Sequence, residues 1–264
     1  MWPLSFISEE NFLRHVEATI QQYGDKLEPF DLKKFNKNLI DPVKLIFDKT
    51  VYGFSWEEIV KNEIFRQRDK SNNNDIGYFH QRIFQYIADC DVPASGWDVV
   101  VTNENGIDVS GGDTVNRVFV EMKNKHNTMN SAASGKSYIR LQSQLLADDD
   151  CACFLVEVIA KQSQNVAWTI SVDSRQKKHR RIRRVSIDKF YSLVTGQQDA
   201  FYQVCMALPG VIEKAVSSTA TSVIPDDRVI GELHELAHAR NGSFALALYM
   251  LGFSSYDGFG STAC

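Results

Sequence analysis

The sequence predicts an α/β protein: a central mixed β-sheet flanked by helices, with helical regions at both ends. Three observations point there. The first ninety residues carry helix start signals, residues 93–172 hold short β-rich apolar runs around one helical stretch, and the chain beyond Ser186 returns to helical periodicity.

The N-terminal helices are marked by their caps. Ser8 precedes an apolar-periodic run that reaches Tyr23. Asp41-Pro42 joins a capping carboxylate to a proline at the first helical position, where a missing N–H costs nothing. Ser55-Trp56-Glu57-Glu58 is a capping box, in which serine and glutamate each satisfy the other's backbone N–H. Asp75 is expected to cap a separate helix, "IGYFHQRIFQYI". After Pro93 come "WDVVV" (97–101), "GIDVS" (106–110) and "RVFVEMKN" (117–124), parted by the turn signals Asn103-Glu104-Asn105-Gly106 and Gly111-Gly112-Asp113. They read as a three-strand meander. A polar loop, "KHNTMNSAASGKS", leads into a helix, "SYIRLQSQLL", followed by the strands "CACFLVEVIA" and "VAWTISV". "SIDKFYSLVTG" and "AFYQVCMALPGVIEKAV" are helical, and the remainder stays helical with a turn at "SSYDGFG". There is no internal repeat or low-complexity tract.

With 264 residues, 44% hydrophobic and 23% charged, the chain can bury a sizeable core. It reads as one domain over 1–264, with a helical N-terminal region (1–92), a core (93–172), and a basic segment leading to a helical C-terminal region (173–264). Five cysteines, an odd number without a Cys-x-x-Cys pair, are expected to be the reduced core thiols of a cytoplasmic protein. The start "MWPLSFISEENF" has no basic leader region, and the longest apolar stretch, "FALALYMLGF", is too short to span a bilayer. A net charge of −4 argues against coating nucleic acid over the whole surface, but leaves room for a local basic groove.

Chemistry concentrates on "RVFVEMKN". Strand alternation puts Val118, Val120 and Met122 on one face and Phe119, Glu121 and Lys123 on the other, so an acid and a lysine stand side by side. The preceding strand supplies Asp108, which a hairpin could bring next to Glu121. Two such carboxylates would bind a hard divalent cation, and a neighbouring ammonium could orient a water for attack on a phosphodiester. A Glu-x-Lys pair on a solvated edge strand would instead be an ordinary ion pair; the apolar residues on either side of this one argue for a central strand. Asn124, Lys125, His126, Asn127 and Asn130 follow in a loop able to contact phosphates or base edges, with His126 more readily a hydrogen-bonding residue than a general base. "SRQKKHRRIRRVS" (174–186) gathers Arg175, Lys177, Lys178, Arg180, Arg181, Arg183 and Arg184; beside a site that attacks phosphodiesters it reads as a DNA clamp, and in isolation as a solvated charge run. Another pattern competes for a metal. His234-Glu235-Leu236-Ala237-His238 has the spacing of a helical zinc peptidase site, but no His or Glu follows it to serve as third ligand, only Asp257. A non-catalytic DNA-binding module is the other alternative.

The blocks "GWDVV" (96–100), "VEMKNKHNTMNS" (120–131), "FLVEVIAKQSQNVAW" (154–168), "RRVSIDKFYSLVTG" (183–196) and "ALYMLGFSSYDGF" (247–259) resemble the PD-(D/E)XK nuclease superfamily. Within it, the resemblance is to type II restriction endonucleases that cut GGNCC or closely related sites. It implies a restriction-endonuclease-like core and Mg²⁺-dependent hydrolysis of both strands of a palindromic DNA duplex by a homodimer. It further implies a prokaryotic cytoplasm and a cognate DNA methyltransferase in the same host. By position Glu121 and Lys123 fill the acid-x-Lys element and Asp108 the first-acid position, with Asp98 the alternative if residues 102–116 are an insertion. The metal ligands would then be Asp108, Glu121 and the backbone carbonyl of Met122.

Overall fold

Helix signals and strand signals alternate along the chain, and the elements follow them in order. The computed structural model describes residues 2–24, 28–126, 128–172, 175–218, 226–240 and 242–253. The elements are α1 (Glu9–Gly24), α2 (Leu32–Asn36), α3 (Pro42–Tyr52), α4 (Trp56–Arg82), a 3₁₀ turn (Ile83–Tyr86), β1 (Cys90–Asp91), β2 (Val99–Asp108), β3 (Thr114–Lys125), α5 (Ser131–Ala147), β4 (Cys151–Ile159), β5 (Asn165–Val172), β6 (Arg175–Ser186), α6 (Ile187–Thr195), α7 (Ala200–Ser218), α8 (Val229–Ala239) and α9 (Phe244–Gly252). Internal contacts cluster in two units, residues 1–20 with 75–220 and residues 21–74 with 221–264, where the sequence reads as one domain.

The first unit is built on a six-stranded mixed sheet of order β1-β2-β3-β4-β6-β5. β3, β4 and β6 run parallel, while β1, β2 and β5 are joined antiparallel. One sheet face, with Val118, Val120, Phe154 and Val156, packs against residues of α1, α6 and α7. The other, with Cys153, Leu155 and Ile182, packs against Tyr138 and Leu141 of α5. Burial on both faces explains why "CACFLVEVI" is almost unbroken in apolar character. The second unit closes a separate core around Phe35, Leu45, Val60, Leu233 and Leu248.

Two caps behave as their residues suggest. Asp41 accepts from the Lys44 N–H at 3.0 Å, and Ser55 and Glu58 exchange bonds at 2.8 and 3.2 Å. Asp75 starts no helix: it is buried inside α4, which runs through the poor helix formers Ser71 to Asn74 because no proline interrupts it. α5 begins at Ser131, capped by Asn130 Oδ1 on the Ala133 N–H at 2.9 Å, earlier than "SYIRLQSQLL" indicated. The expected meander is a hairpin. "WDVVV" and "GIDVS" belong to one strand, β2, which advances from Thr102 to Ile107 while β3 retreats only from Arg117 to Val115. Asn103 to Gly106 thus form a bulge in β2, and the chain reverses after Asp108.

Candidate active site

The candidate residues gather at the end of β3, where pairing with β2 stops at Val120 and pairing with β4 continues to Lys125. Toward β2, Val99 pairs with Val120 and the Asp98 N–H donates to Val120 O at 3.0 Å, so Asp98 comes opposite Glu121 at the mouth of the hairpin. Asp98 Oδ2 accepts from the Met122 N–H at 2.6 Å, continuing the ladder with a side chain where the strand has ended. Glu121 and Lys123 share the α5 face: Lys123 Nζ lies 2.9 Å from Glu121 Oε1. α5 supplies two further partners. Ser137 Oγ donates to Glu121 Oε1 at 2.9 Å, and Arg140 Nη1 stands 3.7 Å from Oε2. The Arg140 guanidinium is held over the Trp97 ring at 4.2 Å and bonded to Gly96 O.

Burial pushes the Asp98 carboxyl above the usual carboxylate range and Glu121 adds to this, while the Met122 N–H and the Lys123 and Arg140 charges act the other way. Glu121 is buried, and its Oε2 has no hydrogen-bond partner among the described residues. A buried carboxylate oxygen with no hydrogen bond and a guanidinium only at 3.7 Å, beside a second, partly desolvated carboxylate, is costly unless a cation completes the site. These are the hard oxygen donors that Mg²⁺ takes, so Asp98 and Glu121 fit that ion.

Residues 4–217 match the Eco47II restriction endonuclease family. The chain belongs to that family. It is 28% identical to the type II restriction enzyme Sau96I of Staphylococcus aureus, over 97% of this chain and 98% of that protein. It is 29% identical to the type II restriction enzyme Eco47II of Escherichia coli, over 81% of this chain and 88% of that protein. The protein is therefore a restriction endonuclease.

Not every expected residue of the endonuclease meets at this site. Asp108 does not: it pairs with Thr114, seven residues before Glu121 on β3, which is about 23 Å along an extended strand. It is exposed and accepts the Ser110 and Gly112 N–H groups, which hold its carboxyl below the usual range. Of the basic run, now strand β6, Arg183 is buried and bonded to Asn165, and Arg180 and Arg181 pair with Asp113 at 3.2 and 2.9 Å. Arg175, Lys177 and Lys178 are exposed but lie toward the opposite end of the sheet. Asn124 is half-buried, Lys125 exposed, and the Asn130 side chain is taken by its cap; Asn127 lies outside the described residues. His234 and His238 are exposed on α8, and His234 sets its ring edge-on to Phe244. Among the described residues no three His, Cys, Asp or Glu gather to hold a metal, and Asp257 lies outside them. Sequence reasoning missed Ser137, Arg140 and Trp97. Their only signal was the i, i+3 spacing of Ser137 and Arg140 on the helix after the acid-x-Lys strand.

Proposed function

We propose that this endonuclease is a Mg²⁺-dependent, site-specific deoxyribonuclease of the PD-(D/E)XK type that cuts both strands of a short palindromic duplex of GGNCC type as a homodimer. The reading is carried by the meeting of Asp98, Glu121 and Lys123, with Glu121 Oε2 left without a hydrogen bond among the described residues. Asp98, rather than Asp108, takes the first-acid role. Asp98, Glu121 and the Met122 carbonyl would hold Mg²⁺, which when bound neutralises charge developing on the phosphate oxygens and makes water more acidic. Ser137 and Lys123 hold Glu121 by Oε1, which leaves Oε2, with the Arg140 guanidinium 3.7 Å away, to accept from a ligand. Lys123, tethered to Glu121, holds an ammonium beside the reacting phosphate and orients the attacking water. Asn124, Lys125 and His126 face the DNA next to the cut, and Arg175, Lys177 and Lys178 attract flanking phosphates without reading bases. The GGNCC preference rests on the sequence blocks named above, and the homodimer on the symmetry of a palindrome. Such an enzyme requires a cognate methyltransferase in its host.

The test is plasmid cleavage with Mg²⁺ and with EDTA, followed by mapping of the ends. Glu121→Ala and Lys123→Ala should each slow cleavage by roughly a hundredfold or more while the protein stays folded and still binds its site. Cleavage by either variant at the wild-type rate would remove the assignment, and cleavage undiminished in EDTA would remove the metal.

A further inference from the structure

A second set of charged groups meets on the same sheet face, apart from the Asp98–Glu121–Lys123 group. Across the parallel strands Lys123 of β3 pairs with Glu157 of β4, and Leu155 of β4 with Arg184 of β6. Glu157 is 0% exposed, a place where a carboxylate persists only if it is paired. It is paired twice. Oε1 accepts from Arg184 Nη2, and Oε2 stands 3.2 Å from His126 Nδ1. Arg184 Nη2 also donates to the His126 backbone carbonyl at 3.2 Å and lies 2.7 Å from His126 Nδ1.

The guanidinium is anchored lopsidedly. The bonds to Glu157 and His126 all use Nη2, while Nε is shut away from solvent with no hydrogen-bond partner among the described residues. The side chain remains 23% exposed. A merely structural ion pair would turn its two-pronged edge to the carboxylate; here one nitrogen does the anchoring and part of the fork is unused. Arg184 also differs from the rest of the basic strand in position. It lies level with Glu121 across β4, whereas Arg175 pairs with Val172, six residues of β5, about 20 Å, from the Val166 that pairs with Arg184.

We propose that Glu157 is a positioning residue, holding Arg184 and His126 as a seat for one DNA backbone phosphate beside the cleaved one. This rests on the nuclease reading above. The ligand is a single phosphodiester oxygen pair, recognised by the guanidinium with the imidazole beside it. Loss of Glu157 acts through the other two: Arg184 keeps its charge but not its direction.

Duplexes carrying one neutral methylphosphonate at successive positions around the cut, bound in Ca²⁺ so that binding is read apart from cleavage, test this directly. At one position the wild type should lose about tenfold or more in affinity. Arg184→Ala should lose as much on the unmodified duplex and then be indifferent to the methylphosphonate there. Its salt dependence should also fall by about one phosphate contact. Glu157→Gln, which keeps the shape, should show the same indifference in part. Arg184→Ala leaves Glu157 buried and unpaired; if it fails to fold, Arg184→Met combined with Glu157→Gln carries the same measurement. Losses that simply add at every phosphate, in a wild type that cuts its site, would overturn the seat and leave the nuclease intact. A wild type that neither binds nor cuts DNA would remove the nuclease reading itself.

Discussion

Asp98 and Asp108 carry the same side chain ten residues apart on one stretch of chain, in opposite surroundings. Asp98 is half-buried beside Glu121, Lys123 and Arg140, and its carboxyl is pushed up by desolvation. Asp108 is exposed and spends its oxygens on the turn, bonding the Ser110 and Gly112 N–H groups. Ionised oxygens that already accept backbone hydrogen bonds in water have little reason to take a metal, whereas crowded and partly dehydrated ones gain from it. Asp98→Asn should therefore slow cleavage by roughly a hundredfold or more, with the fold kept by the same hydrogen bond to Met122. Asp108→Ala should cut at close to the wild-type rate and show a slightly lower thermal midpoint. Single-turnover cleavage of both variants decides it: an active Asp98→Asn with an inactive Asp108→Ala would restore Asp108 as first acid.

At the level of elements, the distance between Asp108 and Glu121 traces to one turn. Asn103-Glu104-Asn105-Gly106 and Gly111-Gly112-Asp113 are equally good local signals for reversal, and only the pairing of β2 with β3 shows that the first is a bulge. Glu121 and Lys123 were legible as neighbours because their alternation is local to β3; which acid lies beside them, Asp108 or the alternative Asp98, depends on register and stayed open. β6 hid for a related reason: a run of arginines and lysines masks the two-residue period, and its pairing with β4 and β5 is non-local. The bulge itself is testable. Gly106 sits at φ +87°, and a Cβ there would come 2.3 Å from Thr114 Cγ2, so Gly106→Ala combines a left-handed backbone with a clash. The threonine can rotate away but the backbone cannot, which leaves a cost of about 1–2 kcal/mol. The thermal midpoint should drop by roughly 2–4 °C, with cleavage at 25 °C unchanged; an unshifted midpoint would mean that the hairpin tolerates a different path.

For the molecule as a whole, the first unit contains a titration that its chemistry does not use. His15 of α1 is 3% exposed, donates Nε2–H to Phe79 O at 2.9 Å, and stacks on the Phe79 ring with Tyr86 at its edge. Burial pushes it down to about 4, with Arg82 acting the same way and the bond to Phe79 opposing. His80 is likewise pushed down to about 4 by burial and by His15. In the unfolded chain both would titrate near the ordinary value of about 6.5. Between those values the unfolded state binds more protons than the folded one, so stability is full above about pH 6.5 and is lost as the pH falls toward 4. Each histidine contributes up to about 1.4 kcal/mol per pH unit inside that window. The carboxylates of Asp108 and Asp113, held below their usual range, lose their contribution only at still lower pH. Urea midpoints at pH 7, 6 and 5 should therefore fall steadily. His15→Gln keeps a donor for the Phe79 carbonyl but does not titrate, and it should make the decline about half as steep. An equally steep decline in that variant would assign the acid sensitivity to groups other than His15.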